Sequence, residues 1–293
     1  MDRRGLLALA LIGQAWSGYW DIYSHRFVYS QDPPLNPAHL ALYTFTGLGL
    51  WALLGLRRRS GLYGLATAGF CVQLGAGLWN ELQHRLWGEI EPISPPHAAL
   101  ALGLLAAQVG FLLALAHAAP DAQRARLVQL GFVALWLTGQ GSSLYVAGVL
   151  QERGQALAAL LLLGAGTALL LVPAGLANPR LPLLLGLSSY AANMLPLALL
   201  ARPPLPLQAY LPLAPLAGLA LWLGASLGAA SARLHRALEL GALGGLLLYP
   251  LSYPFSAQLM PSMLYAALLG SAVGALLGPA SLVLMRALVG RAS

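Results

Sequence analysis

At 293 residues the chain is 58% hydrophobic and only 9% charged, with a mean hydropathy of +0.71. Soluble domains carry about a quarter charged residues, so a water-facing surface cannot be assembled from this composition and most of the exterior must meet lipid. The formal net charge of +7 does not mark a nucleic-acid binder, because the basic residues, all arginine, punctuate apolar stretches instead of clustering on one face.

The opening MDRRGLLALALIG has the short basic region and apolar run of a signal peptide, but it reads better as the first membrane helix. A membrane span needs roughly 20 mainly apolar residues. Stretches of that kind fall at 5–26, 37–56, 61–85, 95–118, 127–149, 155–176, 181–201, 209–231, 237–255 and 261–285. Turn and charge signals separate them, such as QDPPLNP, RRRSG, GEIEPISPP and APDAQRAR. The expected fold is an all-α polytopic bundle of about ten transmembrane helices. Residues 1–118 form its first region and 119–293 a six-helix remainder of unknown role.

The positive-inside rule orients this arrangement. With both termini on the cytoplasmic side, the inner segments carry Arg3, Arg4, Arg57, Arg58, Arg59, Arg124, Arg126, Arg180, Arg233, Arg236, Arg286 and Arg291. The outer segments carry only Arg26, Arg85, Arg153 and Arg202, a split of 12 against 4. Asp21, Asp32, Glu81, Glu89, Glu91 and Glu152 all fall on the outer side. A multi-pass protein of the bacterial plasma (inner) membrane is the expected setting.

The first two hairpins read as copies of one another. The first span ends in Trp20-Asp21-Ile22-Tyr23-Ser24-His25-Arg26-Phe27 and the third in Trp79-Asn80-Glu81-Leu82-Gln83-His84-Arg85-Leu86. Each is followed by a polar loop and a helix opening with Pro-x-His: Pro37-Ala38-His39, then Pro95-Pro96-His97. The His-to-His separations are 14 and 13 residues, and four of the six histidines lie in these two frames. Residues four apart share a helix face, so Asp21 sits one turn below His25 and Asn80 below His84. The loop reverses the chain, and the Pro-x-His opening returns a further imidazole to the same depth; proline is at home in the first helical turn. Each hairpin thus presents a carboxylate or amide with two imidazoles, a donor set suited to copper, zinc or iron. The single cysteine, Cys71, excludes a thiolate cluster. Each His or Asp taken alone reads as an interfacial anchor. The repeated set favours a metal, since ionisable groups in a membrane are costly and functional.

This frame of Asp-x3-His, loop, His and later Asn-x3-His, loop, His resembles the metal-binding region of the C subunit of copper membrane monooxygenases, the group of particulate methane and ammonia monooxygenases. The resemblance covers about residues 16–100. It implies one copper site at Asp21, His25 and His39, and an adjacent one at Asn80, His84 and His39, with His97 as a nearby extra imidazole. It also implies a small apolar substrate, with other membrane subunits or a cupredoxin-like outer-face protein as partners. The chain has more spans than that subunit, and no cupredoxin-like domain of its own.

Elsewhere the signals are weaker. Met260 and Met263 are packing residues or soft-metal ligands. His117 and His235 sit beside arginines at inner helix ends as dipole partners. Glu239 pairs with Arg233 or Arg236, and Gly241, Gly244 and Gly245 form a helix-contact surface. Three functions stay open: a copper-dependent membrane oxidoreductase or monooxygenase subunit, a transporter or metal-handling protein, and a structural subunit of a larger membrane complex.

Overall fold

The computed structural model describes residues 2–27, 36–57, 61–87, 94–118 and 122–155, together with isolated helical positions between 158 and 195. The described chain is helical, with no strand among the described residues. Helix α1 spans Arg3–Phe27, α2 Pro37–Arg57, α3 Gly64–Trp87, α4 Pro95–Ala116 and α5 Ala122–Glu152, with a 3-10 turn at Gly61–Tyr63 leading into α3. As helices, the first four expected segments match α1 to α4 to within a few residues. The fifth starts earlier than 127, because Ala122, Gln123, Arg124 and Arg126 are good helix formers following the Pro120 stop signal. The spans expected from 209 onward lie outside the described residues, and those at 155–176 and 181–201 do so almost wholly.

Among the described residues three stretches, Pro37–Leu56, Gly61–Trp87 and Pro95–Ala116, are long and apolar enough to cross a membrane, with hydropathies of 1.4, 1.3 and 2.2. Less than half of each span's most apolar window is buried inside the protein: 28%, 39% and 44%. Leu54, Leu78, Trp87 and Leu102 stand out from the bundle. An apolar surface of this extent belongs against lipid, not water.

The chain divides into two compact units, 1–138 and 139–293. In the first, α1 packs along α2 and α3 along α4, while α2 meets α3 and α1 meets α4. Small residues allow the close approaches. A Cβ on Gly69 of α3 would lie 2.5 Å from the Ala107 nitrogen and the Gly103 oxygen of α4, so the two backbones touch. Gly13 makes room for the Phe45 ring, and Gly49 for that of Phe70. Lipid tails are as apolar as leucine, so this packing, not exclusion from water, holds helices together in a bilayer.

The core is concentrated toward one end of the unit, around Leu7, Leu11, Leu53, Phe70, Phe111 and Leu115. Midway along the helices lies a buried amide cluster: Gln14 Nε2 donates to Thr46 Oγ1 at 2.7 Å and to Gln73 Oε1 at 2.8 Å. It ties α1, α2 and α3 together. Beyond it, toward the C-terminal ends of α1 and α3, lie the partly buried Asp21, Asn80 and His84.

Candidate functional site

The helix starts place the imidazoles. Asn36 is the N-cap of α2: its side-chain oxygen accepts from the Ala38 N–H at 2.9 Å, and its carbonyl takes the first helical bond, from Leu40. With Pro37 next in line, His39 is fixed in the first turn. At α4 the cap differs. Pro95 and Pro96 have no N–H to offer, and Ser94 caps no backbone group. Its hydroxyl lies 2.6 Å from His97 Nδ1 instead, which anchors that ring.

Asp21, in the penultimate turn of α1, meets His39 across the hairpin: Asp21 Oδ1 and His39 Nε2 are 2.9 Å apart. Both are largely withdrawn from solvent, with side-chain exposures of 26% and 14%. The sequence places these residues at one depth, and the structure brings them into contact. One turn further along α2, the Tyr43 ring sits 6.3 Å from that of His39, centroid to centroid. Tyr43 also crosses to α3, where a Cβ on Gly77 would lie 3.5 Å from its Cε1. Tyr43 thus borders both His39 and the α3 turn immediately before Asn80. One turn apart on α1, the Trp16 and Trp20 rings pack with centroids 5.3 Å apart.

On α3 the buried stripe Ala66, Gly69, Phe70, Gln73, Ala76 and Gly77 runs on at helical spacing into Asn80 and His84, both partly buried. Asn80 Oδ1 is buried and has no hydrogen-bond partner among the described residues, and the same holds for Gln83 Oε1. Buried amide oxygens are nearly always satisfied, so each is open to a donor or a cation. Glu81 faces outward and pairs with Arg85 at 2.7 Å.

The His25 backbone belongs to α1, one turn beyond Asp21, but its side chain lies outside the described residues, as do the loops 28–35 and 88–93. The expected approach of His25 to His39 lies there too. Among the described residues no group of three His, Cys, Asp or Glu side chains converges; Asp21 and His39 form a pair. Met260, Met263, His235, Glu239, Gly241, Gly244 and Gly245 also fall outside. His117 caps the far end of α4, its ring Nδ1 2.9 Å from the Leu113 carbonyl.

Sequence reasoning overlooked the amide cluster and Tyr43. A signal for the former was available. Gln14 and Gln73 are 59 positions apart, the same offset that separates Asp21 from Asn80 and His25 from His84. Compared with known proteins, the chain matches no family model, no curated protein and no solved structure.

Proposed function

We propose that this chain is a multi-pass protein of the bacterial inner membrane that binds copper at the ends of its first two hairpins. In this reading it is a copper-dependent oxidoreductase, or the metal-bearing subunit of one, acting on a small apolar substrate. The observation that carries the reading is the 2.9 Å approach of Asp21 Oδ1 to His39 Nε2. Two donor atoms bound side by side to one ion at about 2.0–2.1 Å are themselves about 3 Å apart. A carboxylate and an imidazole drawn from two helices are thus already at ligand separation. Asp21 supplies the negative charge that a divalent ion needs in a low-dielectric setting. His25 completes the first set; Asn80, with its open oxygen, and His84 form the second, neutral set with a shared His39, and His97 is a nearby extra imidazole.

Bound copper would supply redox chemistry. The chain's own residues do the rest: Asn36 and Pro37 hold His39 in register, and Ser94 orients His97. Trp20, and Trp79 at the matching place on α3, would shape the surroundings of the two donor sets for an apolar substrate. The ten-span topology with both termini inside is supported by the arginine split of 12 to 4. The hairpin repeat gains support from the direct bond between Gln14 and Gln73, which occupy matching places in the two copies. In two hairpins related by a pseudo-two-fold axis, such residues meet on that axis. The resemblance to copper membrane monooxygenases, with its other subunits or a cupredoxin-like partner, belongs to the same proposal.

The Asp21–His39 contact also favours a second reading, in which the pair is a polar clasp closing the hairpin of a structural subunit. The mid-depth amide cluster favours a third, transport, since transporter sites lie near the bilayer midplane. Elemental analysis of protein purified in copper-supplemented lipid separates these. Stoichiometric copper, zinc or iron lost on replacing Asp21 or His39 supports a metalloprotein; no metal under any condition leaves the clasp.

A further inference from the structure

The end of the first unit opposite Asp21 and His39 holds a separate feature. Arg3 lies 18 residues before Asp21 on α1, about 27 Å away at 1.5 Å per residue, close to a bilayer's hydrocarbon thickness. Here a cavity of about 530 Å³ opens between the start of α1, the end of α2, the 3-10 turn and the end of α4. Asp2, Arg3, Arg4, Tyr63 and His117 supply its polar lining, and Leu56 and Leu62 an apolar wall.

Among the described residues the cavity holds two guanidiniums and one carboxylate. Arg4 is engaged by Asp2, at 3.4 Å, and by Gln123. Asp2 also receives the Gly5 N–H at 2.8 Å. Partial burial pushes its carboxyl up, but the bonds from Gly5, Gln123 and Arg4 outweigh that and hold it below the ordinary value. The one carboxylate is therefore occupied. Arg3 has no carboxylate partner among the described residues. Its guanidinium lies 5.2 Å over the Trp51 ring and makes only a long, 3.5 Å contact to the Trp51 carbonyl. It rests against Gly55, where any side chain would collide with it. His117 is held from behind by its Nδ1 contact to Leu113.

Arginines at a membrane boundary are common on topological grounds alone. Arg3 differs in lying over the Trp51 ring and lining a cavity of ligand size, where two guanidiniums accompany one carboxylate among the described residues. We infer that this cavity takes the phosphodiester headgroup of an anionic glycerophospholipid. Arg3 is its principal phosphate partner, and the acyl chains lie along Leu56 and the exposed Leu62. Guanidinium matches phosphate as a planar fork, and basic pockets between membrane helices suit anionic headgroups. The inference rests on the membrane-spanning reading and not on the metal. A free phosphate ester shares the headgroup's chemistry but has no use for the apolar wall.

The test is native mass spectrometry of the full chain in detergent, titrated with phosphatidylglycerol, phosphatidylcholine or inorganic phosphate. One phosphatidylglycerol should be retained at least about tenfold better than phosphatidylcholine, and Arg3→Gln should weaken it about tenfold. Gly55→Ala, which displaces the guanidinium without changing charge, should weaken it too, and carries the test if Arg3→Gln misfolds. Arg85→Gln, removing the same charge at the opposite end, should have no effect. Equal retention of both lipids, full retention by Arg3→Gln and Gly55→Ala, or equal loss in Arg85→Gln overturns the site. Displacement of the lipid by equimolar inorganic phosphate overturns the lipid assignment in favour of a free phosphate ester.

Discussion

Asp21 and Asn80 hold matching positions in their helices, yet their chemistry differs by a full charge. Asp21 contacts His39 at 2.9 Å, whereas the Asn80 oxygen is buried without a partner among the described residues. A carboxylate offsets a cation in a low-dielectric site and an amide does not. Asp21→Asn or His25→Ala is therefore expected to remove the tighter-bound ion, with affinity falling more than about 100-fold, beyond what losing an outer-shell partner costs. Asn80→Ala should leave that ion and strip only a labile one, and His39→Ala should weaken both if that imidazole is shared. Metal content and paramagnetic resonance after graded chelation read this directly. Loss of all metal from Asn80→Ala, with none from Asp21→Asn, would reverse the assigned roles.

Among the elements, the contact of α3 with α4 is the most sharply constrained. A methyl group at Gly69 would meet backbone atoms of Ala107 and Gly103, which cannot rotate aside. Gly69→Ala should force the helices apart at a cost of roughly 1–3 kcal/mol. Gly75→Ala, on the same helix with open space around it, should be neutral or slightly stabilising. Thermal unfolding in detergent compares the two, and equal losses would mean the close approach is not formed. The amide cluster makes a different prediction. Gln14→Leu leaves Thr46 and Gln73 without their donor, costing about 1 kcal/mol. Adding Gln73→Leu should cost less than the two single changes summed, because both remove one shared bond. Additive losses would show that the amides act independently.

For the whole molecule, the decisive quantity is which ends of the helices share a side of the membrane. In a Cys71→Ser background, a cysteine at position 32 should react with an impermeant reagent applied from outside, and one at position 58 should not. The reverse pattern would put Asp21 and His39 on the cytoplasmic side and exclude an outer-face partner. Among the described residues the two ends differ: the Arg3 end carries the apolar core and a cavity lined by Arg3, Arg4 and His117, and the Asp21 end carries the Asp21–His39 pair.

The boundaries of α1 to α4 were legible in the sequence because each is set locally. Apolar runs supply the length, and Asn36-Pro37, Ser94-Pro95 and the arginine clusters supply the stops. The shared depth of Asp21 and His39 was legible too, since helical rise and a short reversal fix it. Contact between them was not, because spacing gives depth along a helix but not rotation about it. Rotation is set by which small residues let neighbours approach: Gly69 against α4, Gly13 against Phe45 and Gly49 against Phe70. The bond from Gln14 to Gln73, the Tyr43 bridge toward α3 and the packing of Arg3 on Gly55 have the same origin. They join residues 59, 34 and 52 positions apart, and only the packing of four helices decides that such residues meet.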